Sequence, residues 1–378
     1  MFSKLAILLV AGVAALSAQD TPLDPYNSVK INLPADSPLT LISANLGSSH
    51  ASFRGSAVVL DLKMALTLRN SSPNRVRGVT LLVAAQEVTP GGKASVSVPS
   101  LDVSPGQNFP VRIDLRLLRP GQMGSGPLVQ VNLDGVLFQD CSFYGPNRLD
   151  SRRTMIAWEM EAQRDRKFFK SILASHGLDG LKHAMVESIA RQNDRPRLDV
   201  QVSRGRAVSG AAVPEHTAQF AFLRFPDAPV EPVEGWAEIS GNEARNPRID
   251  VRNLSPKQVR YVEIGWIVTD RKGKQFMAAS VPASGPQFNL KSGSTSRVLQ
   301  DTALRFSKDR GESVFIDKMT GFVSQVEFSD GKIWIPNRES LANAQLLGIL
   351  APSPEEQRLT DLYLKKGPQA LADELGKF

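Results

Sequence analysis

The residues that could carry chemistry are few and badly spaced for it. The four histidines are His50, His176, His183 and His216. His176 and His183 stand seven apart across Gly177, which is not the i, i+4 spacing that points two imidazoles at one metal ion. His50 follows Gly47-Ser48-Ser49 in a loop, and His216 follows Glu215 at the start of a strand. No ligand-spaced partner accompanies any of them, so they read as surface residues and no metal or cofactor is expected. The nearest approach to a nucleophile elbow is Gly47-Ser48-Ser49-His50-Ala51, which lacks the closing glycine. In Gly121-Gln122-Met123-Gly124-Ser125-Gly126 the glycines flank Ser125 directly, the wrong spacing. A Gly-x-x-x-x-Gly-Lys phosphate loop is missing. Asp134 and Asp330 each precede a glycine, a pairing that turns explain. The single cysteine, Cys141, cannot close an internal disulfide and reads as a half-buried hydrophobe in an aromatic-rich stretch that includes Phe143 and Tyr144. The expectation is a protein that is not an enzyme, without catalytic, metal or cofactor-binding residues.

The elements behind these residues repeat. Arg69-Asn70-Ser71-Ser72-Pro73-Asn74-Arg75-Val76-Arg77-Gly78-Val79 returns as Arg252-Asn253-Leu254-Ser255-Pro256-Lys257-Gln258-Val259-Arg260-Tyr261-Val262, a shift of 183 (253 − 70). The alternation Val79, Leu81, Val83, Ala85 returns as Val262, Ile264, Trp266, Val268, one apolar face of a strand each time. Val103 to Gly106 matches Leu290 to Gly293, and Pro146-Asn147-Arg148 matches Pro336-Asn337-Arg338. Aligning Asp134-Gly135 with Asp330-Gly331 as equivalent hairpin turns leaves the first copy with an insertion around Cys141, Phe143 and Tyr144. That insertion is where divergence between the copies is expected. The Asn-x-Ser-Pro block also spells a glycosylation acceptor at Asn70 and Asn253, but the proline after it favours reading it as a turn.

Each copy reads as short alternating strands split by turn chemistry. In the first these are Leu60 to Leu68, Val79 to Ala85, Val96 to Val98, Val111 to Leu115 and Leu128 to Leu133. In the second they are Arg248 to Val251, Val259 to Val268, Gln275 to Ala279, Ser296 to Leu304 and Val323 to Phe328. Strands at this spacing predict two antiparallel sheets packed face to face. A strand ending in Asn-x-Ser, a Val-rich strand after it, an apolar-x-x-Gly turn and a closing strand resemble the bacterial immunoglobulin-like modules of extracytoplasmic proteins. The resemblance covers both β regions and, with one cysteine present, is to disulfide-free sandwiches. It implies a spacer, an adhesion unit or a binding platform, and no single activity.

Two stretches change character. Met155, Trp158, Ala162, Phe169, Ile172 and Leu173 approximate one helical stripe, Gly177 breaks it, and a second helix follows from Asp179 to Gln192. Near the C-terminus, Leu341 to Leu350 reads as helical. Ser353-Pro354-Glu355-Glu356 then predicts a helix start with Ser353 as N-cap and Glu356 as its capping-box partner, before a break at Gly367-Pro368 and a last short helix from Ala370 to Leu375. Glu161-Ala162-Gln163-Arg164 echoes Glu355-Glu356-Gln357-Arg358. Each helical segment is expected to pack on its own β module or to join the two.

Lys4, the apolar run Leu5 to Leu16 and Ser17-Ala18 form an export signal, and the run is too short for a comfortable membrane span. The expected organisation is a signal peptide at 1–18, an extended segment at 19–37, a first β module at 38–149, a helical segment and linker at 150–196, a second β module at 197–339 and a helical tail at 340–378. The net charge of +7 is interleaved with acids, so nucleic acid is not indicated as a partner. No stable membrane span is expected after signal removal. The leading expectation is a non-enzymatic periplasmic or secreted protein that binds another protein or a cell-envelope polymer. The rivals are a structural spacer and a hydrolase with an unrecognised site. Ligand and oligomeric state are not legible.

Overall fold

The repeated Asn-x-Ser-Pro block sets its own backbone. Asn70 and Asn253 are both fully buried. The Asn70 side-chain amide donates to the carbonyls of Asn74 and Val103, and its oxygen accepts from Ser72 N and Oγ. Asn253 makes the same four bonds, to Lys257, Leu290 and Ser255. These are local side-chain bonds that specify a turn. The computed structural model describes residues 21–24, 27–86, 91–121, 126–193, 197–204, 216–285, 287–299, 302–308 and 312–378. The expected export signal and the serine of Gly124-Ser125-Gly126 lie outside them. The chain forms two compact units, Met1–Ser151 and Arg152–Phe378. It is mainly β, with several sheets and three helices.

Unit 1 contains Thr21–Pro22 (β1), Val29–Asn32 (β2), Leu39–Asn45 (β3), His50–Arg54 (β4) and Ala57–Asn70 (β5). Val76–Ala84 (β6), Lys93–Val98 (β7), Asn108–Pro120 (β8), Val129–Phe138 (β9) and Phe143–Tyr144 (β10) follow. One sheet runs β1-β4-β5-β3 with β8 on β5, and the other runs β10-β9-β6-β7 with β2 on β9. Alternate apolar residues, among them Leu60, Leu62, Leu66 and Leu68 of β5 and Val79, Leu81 and Val83 of β6, meet in one core. Each such buried side chain stabilises the fold by about 1.5–3 kcal/mol. The segment expected to precede the module belongs to it, because β2 pairs in parallel with β9 from Val29↔Val129 to Asn32↔Asn132.

Unit 2 contains Arg197–Arg204 (β11), His216–Gln219 (β12), Ala221–Phe222 (β13), Val230–Ser240 (β14), Glu243–Asn253 (β15) and Val259–Asp270 (β16). Gln275–Pro282 (β17), Thr295–Val298 (β18), Thr302–Ser307 (β19), Ile316–Phe328 (β20) and Ile333–Trp334 (β21) complete its strands. All join one sheet ordered β12-β14-β15-β19-β11-β17-β16-β20-β13 that wraps a core around the fully buried Trp266. The strand expected from Ser296 to Leu304 is two strands, because Leu299 takes a positive φ of 59° between them.

The structure corrects the alignment of the copies. Asp134-Gly135 is not a turn. It lies inside β9, and Asp134 is 1% exposed. The counterpart of the Phe328–Trp334 hairpin is Phe138–Tyr144. Phe138 N donates to Ser142 O as Phe328 N does to Lys332 O, and Cys141 N donates to Phe138 O as Gly331 N does to Phe328 O. Asp140 and Asp330 each cap the turn through the N–H two residues on. Cys141 therefore occupies the left-handed turn position (φ 62°) that Gly331 fills in unit 2 (φ 79°), and no insertion exists. The shift is a constant 190 for Phe138/Phe328, Pro146/Pro336 and Gly177/Gly367 (328 − 138, 336 − 146, 367 − 177). Both β6–β9 and β16–β20 skip a residue at matching places, Arg77 and Asp134 in one and Arg260 and Ser324 in the other.

The helices are Ser151–Asn193 (α1), Arg338–Asn343 (α2) and Pro354–Gly376 (α3), with a 3₁₀ turn at Leu346–Gly348. Helix α1 breaks at Gly177 and α3 at Gly367. Phe169, Ile172, Leu173, Leu181 and Met185 of α1 pack in one cluster with Leu359, Leu362, Tyr363, Leu371 and Leu375 of α3, their counterparts at the same shift of 190. The described packing cluster of α1 is thus shared with α3. The echo between residues 161–164 and 355–358 was four residues out of register. Ser353 caps α3 by accepting from Glu356 N at 3.0 Å, as expected. The Glu356 carboxylate turns instead to Ser188 and Arg191.

Candidate functional site

Both units open a cleft at the same corner of the repeat, where the bulge of the closing strand meets the Pro-Asn-Arg connection. In unit 1 the cleft has a volume of about 400 Å³. Pro34, Leu82, Leu133 and Pro146 give it an apolar lining, and Asn32, Asn132 and Arg148 its polar groups. The register of β2 against β9 sets Asn32 beside Asn132, whose Oδ1 accepts from Asn32 Nδ2 at 2.9 Å. That bond leaves the Asn32 carbonyl and the Asn132 amide open to a ligand. Asp134 is spent on the fold: it accepts from Arg148 N at 2.7 Å and from Ser151 Oγ at 2.6 Å. Gly135 beside it admits the Phe143 ring, which lies 2.3 Å from where a Cβ would stand. The Arg148 side chain is exposed and makes no hydrogen bond or ion pair among the described residues.

In unit 2 the corner is a smaller cavity of about 100 Å³. Phe322, Ser324, Pro336 and Arg338 take the places of Asn132, Asp134, Pro146 and Arg148. Helix α2 and the 3₁₀ turn cover this face, with Leu341 and Leu346 packed on Phe225, Ile267 and Phe322. Arg338 and Ser353 of its lining belong to a buried ionic network. Asp165 is 0% exposed, and it accepts from Arg338 Nη1 at 2.8 Å and Ser353 Oγ at 2.6 Å. Arg166 bridges Glu159 at 2.6 Å and Glu355 at 3.3 Å. Buried charges of this kind persist because each is paired and hydrogen-bonded. Glu161 also lines the cavity, but makes no hydrogen bond among the described residues. Burial pushes its carboxyl up to about 7. Arg164 works against that shift, while Asp165 and Glu263 add to it. Burial raises Glu263 too, although Tyr261 donates to it at 2.8 Å.

No family model matches the chain, and no curated protein does. Among solved structures, red sea bream transglutaminase aligns at 9% identity over 76% of this chain and 31% of its own, with a TM-score of 0.13. A β-glucosidase from Kluyveromyces marxianus aligns at 10% identity over 70% of this chain and 45% of its own, again at 0.13. This chain spans less than half the length of either, and likeness at that level carries no argument.

The structure keeps the sequence's candidates apart. His50 lies in unit 1, 3.6 Å from Asp61. His183 pairs with Glu187 along α1, His176 contacts Ser175, and His216 starts β12. Ser49, in the elbow-like stretch, is buried and accepts from Lys63 N at 2.8 Å. No group of three or more His, Cys, Asp or Glu residues among the described ones could hold a metal ion. Among the described residues, no helix is long and apolar enough to cross a membrane. Asn32, Asn132 and Glu161 went unnoticed as site residues. Arg148 was visible only as part of the repeated Pro-Asn-Arg, which was the one available signal.

Proposed function

We propose that the chain is a non-enzymatic exported protein whose tandem immunoglobulin-like β-sandwich modules bind another protein or a cell-envelope polymer. The unit 1 cleft carries this reading. It offers amide and guanidinium groups beside an apolar lining, the chemistry of recognition by hydrogen bonds and contact area. The acid nearest to them, Asp134, is consumed by the fold. The test is capture from an envelope extract, and from purified envelope polymer, on immobilised protein. A ligand should be retained by the natural chain and lost with Asn132→Ala/Arg148→Ala. Retention of nothing, or equal retention by both, refutes the reading.

A further inference from the structure

The two units differ at one sheet edge. In unit 2, β11 runs antiparallel to β19 from Asp199↔Ser307 to Arg204↔Thr302. Its first residues, Arg197 and Leu198, pair in parallel with Met277 and Ala278 of β17. It thus closes the seam between two edges, burying Leu198 and packing Val200 on the core. The counterparts of these edges in unit 1 are the second half of β8, which pairs β5 as β19 pairs β15, and β7, which pairs β6 as β17 pairs β16.

Among the described residues β8 pairs only with β5, and β7 only with β6. Gln107 O and Gly121 N bond to Asn70 and Ser56, on the β5 side. By alternation the even-numbered residues of β8 turn their backbone away from β5. Leu118 does so, donating to Gly91 O at 2.9 Å. Arg112, Asp114 and Arg116 therefore present N–H and C=O outward, in a window bracketed by Pro110 and Pro120. Ala94, Val96 and Val98 of β7 and Leu115 of β8 are only half buried, whereas Ile113 and Leu117 are each 1% exposed. Asp36 accepts from Tyr144 as Asp227 accepts from Trp334, and the shift of 191 between them carries β11 back to residues 6–13, inside the stretch read as the export signal. Those residues lie outside the described ones.

We infer that the β8 edge of unit 1, over Arg112–Arg116, binds an extended segment of another polypeptide, with apolar residues at alternate positions, antiparallel to β8. An open edge offers main-chain hydrogen bonds for affinity, and the apolar seam selects alternate side chains. The inference rests on the exported, binding-protein reading above and gives its partner a form.

The probe is a synthetic peptide with the sequence of Arg197–Arg204, added to the processed full-length chain, with amide hydrogen exchange as readout. Arg112, Asp114 and Arg116 should exchange rapidly in the free chain and at least tenfold more slowly with saturating peptide. A peptide carrying Val200→Pro should give no protection, and Asp114→Pro in the chain should abolish it. Slow exchange of these amides before peptide is added overturns the inference, because the edge is then already covered. Protection confined to β19, or none at all, overturns it equally. Capture of an envelope ligand through Asn132 and Arg148 would survive that failure, which separates the two readings.

Discussion

Replacing Glu161 by Gln tests the electrostatics of the unit 2 cavity. The carboxyl moves from an ordinary 4.5 to about 7 on folding, with burial as the leading cause. Between those values the folded chain holds a proton that the unfolded chain releases. Stability is therefore lost as pH rises from 4.5 to about 7, and the full penalty persists above it. That rise corresponds to about 3 kcal/mol as an upper bound, since the half-buried side chain keeps some solvent screening. Gln carries no charge to desolvate. Glu161→Gln should equal the natural chain near pH 4 and exceed it by up to about 3 kcal/mol near pH 8.5. The assay is urea unfolding followed by tryptophan fluorescence. All four tryptophans, Trp158, Trp236, Trp266 and Trp334, lie in unit 2, so the signal reports that unit alone. A difference that is flat across pH refutes the reasoning. So does a Gln variant that is less stable at high pH, which would mean that the carboxylate is ionised and held by Arg164.

Two further outcomes follow from the repeat. Asn253→Ala removes the four hydrogen bonds of a fully buried side chain and leaves Ser255 N without its acceptor, and should cost unit 2 about 2–4 kcal/mol in the same assay. An effect under about 0.5 kcal/mol would show that the turn does not depend on the Asn side chain. Cys141→Gly relieves a left-handed non-glycine residue and should be neutral to about 1 kcal/mol stabilising, measured by the unfolding transition of unit 1 in circular dichroism. Gly331→Ala adds a Cβ 2.8 Å from Arg152 Nη2 at the equivalent turn and should cost about 1–2 kcal/mol by fluorescence. Equal effects at the two positions would refute their equivalence.

Much of the architecture was legible because it is written in local chemistry. The Asn-x-Ser-Pro turn closes on its own neighbours, so its residue types sufficed to find it twice. The alternation of Val262, Ile264, Trp266 and Val268 named a buried face, and all four are 0% exposed. The Ser353 cap depends on a backbone N–H three residues away. The candidate site was not legible. Asn32 and Asn132 are a hundred residues apart and meet only through a parallel strand pairing. Glu161 has Arg164 and Asp165 beside it in sequence, but its leading influence, burial, comes from tertiary packing, and Glu263 reaches it from β16.

By itself the sequence determined that a β unit with a helical tail is written twice, and where each unit turns. Only the tertiary structure decided what the two Asp-Gly pairs are. Their local signals are the same, but Ser151 Oγ, Arg148 N and the Phe143 ring draw Asp134-Gly135 into a buried bulge. Asp330 stays exposed in a turn, where Lys257 holds its carboxyl below the usual carboxylate range. The tertiary structure likewise decided that Cys141 is a turn residue rather than an insertion, and that one unit has a strand along an edge where the other has none among the described residues. Turn chemistry acts over a few residues, whereas burial and strand pairing depend on partners the chain brings from far away.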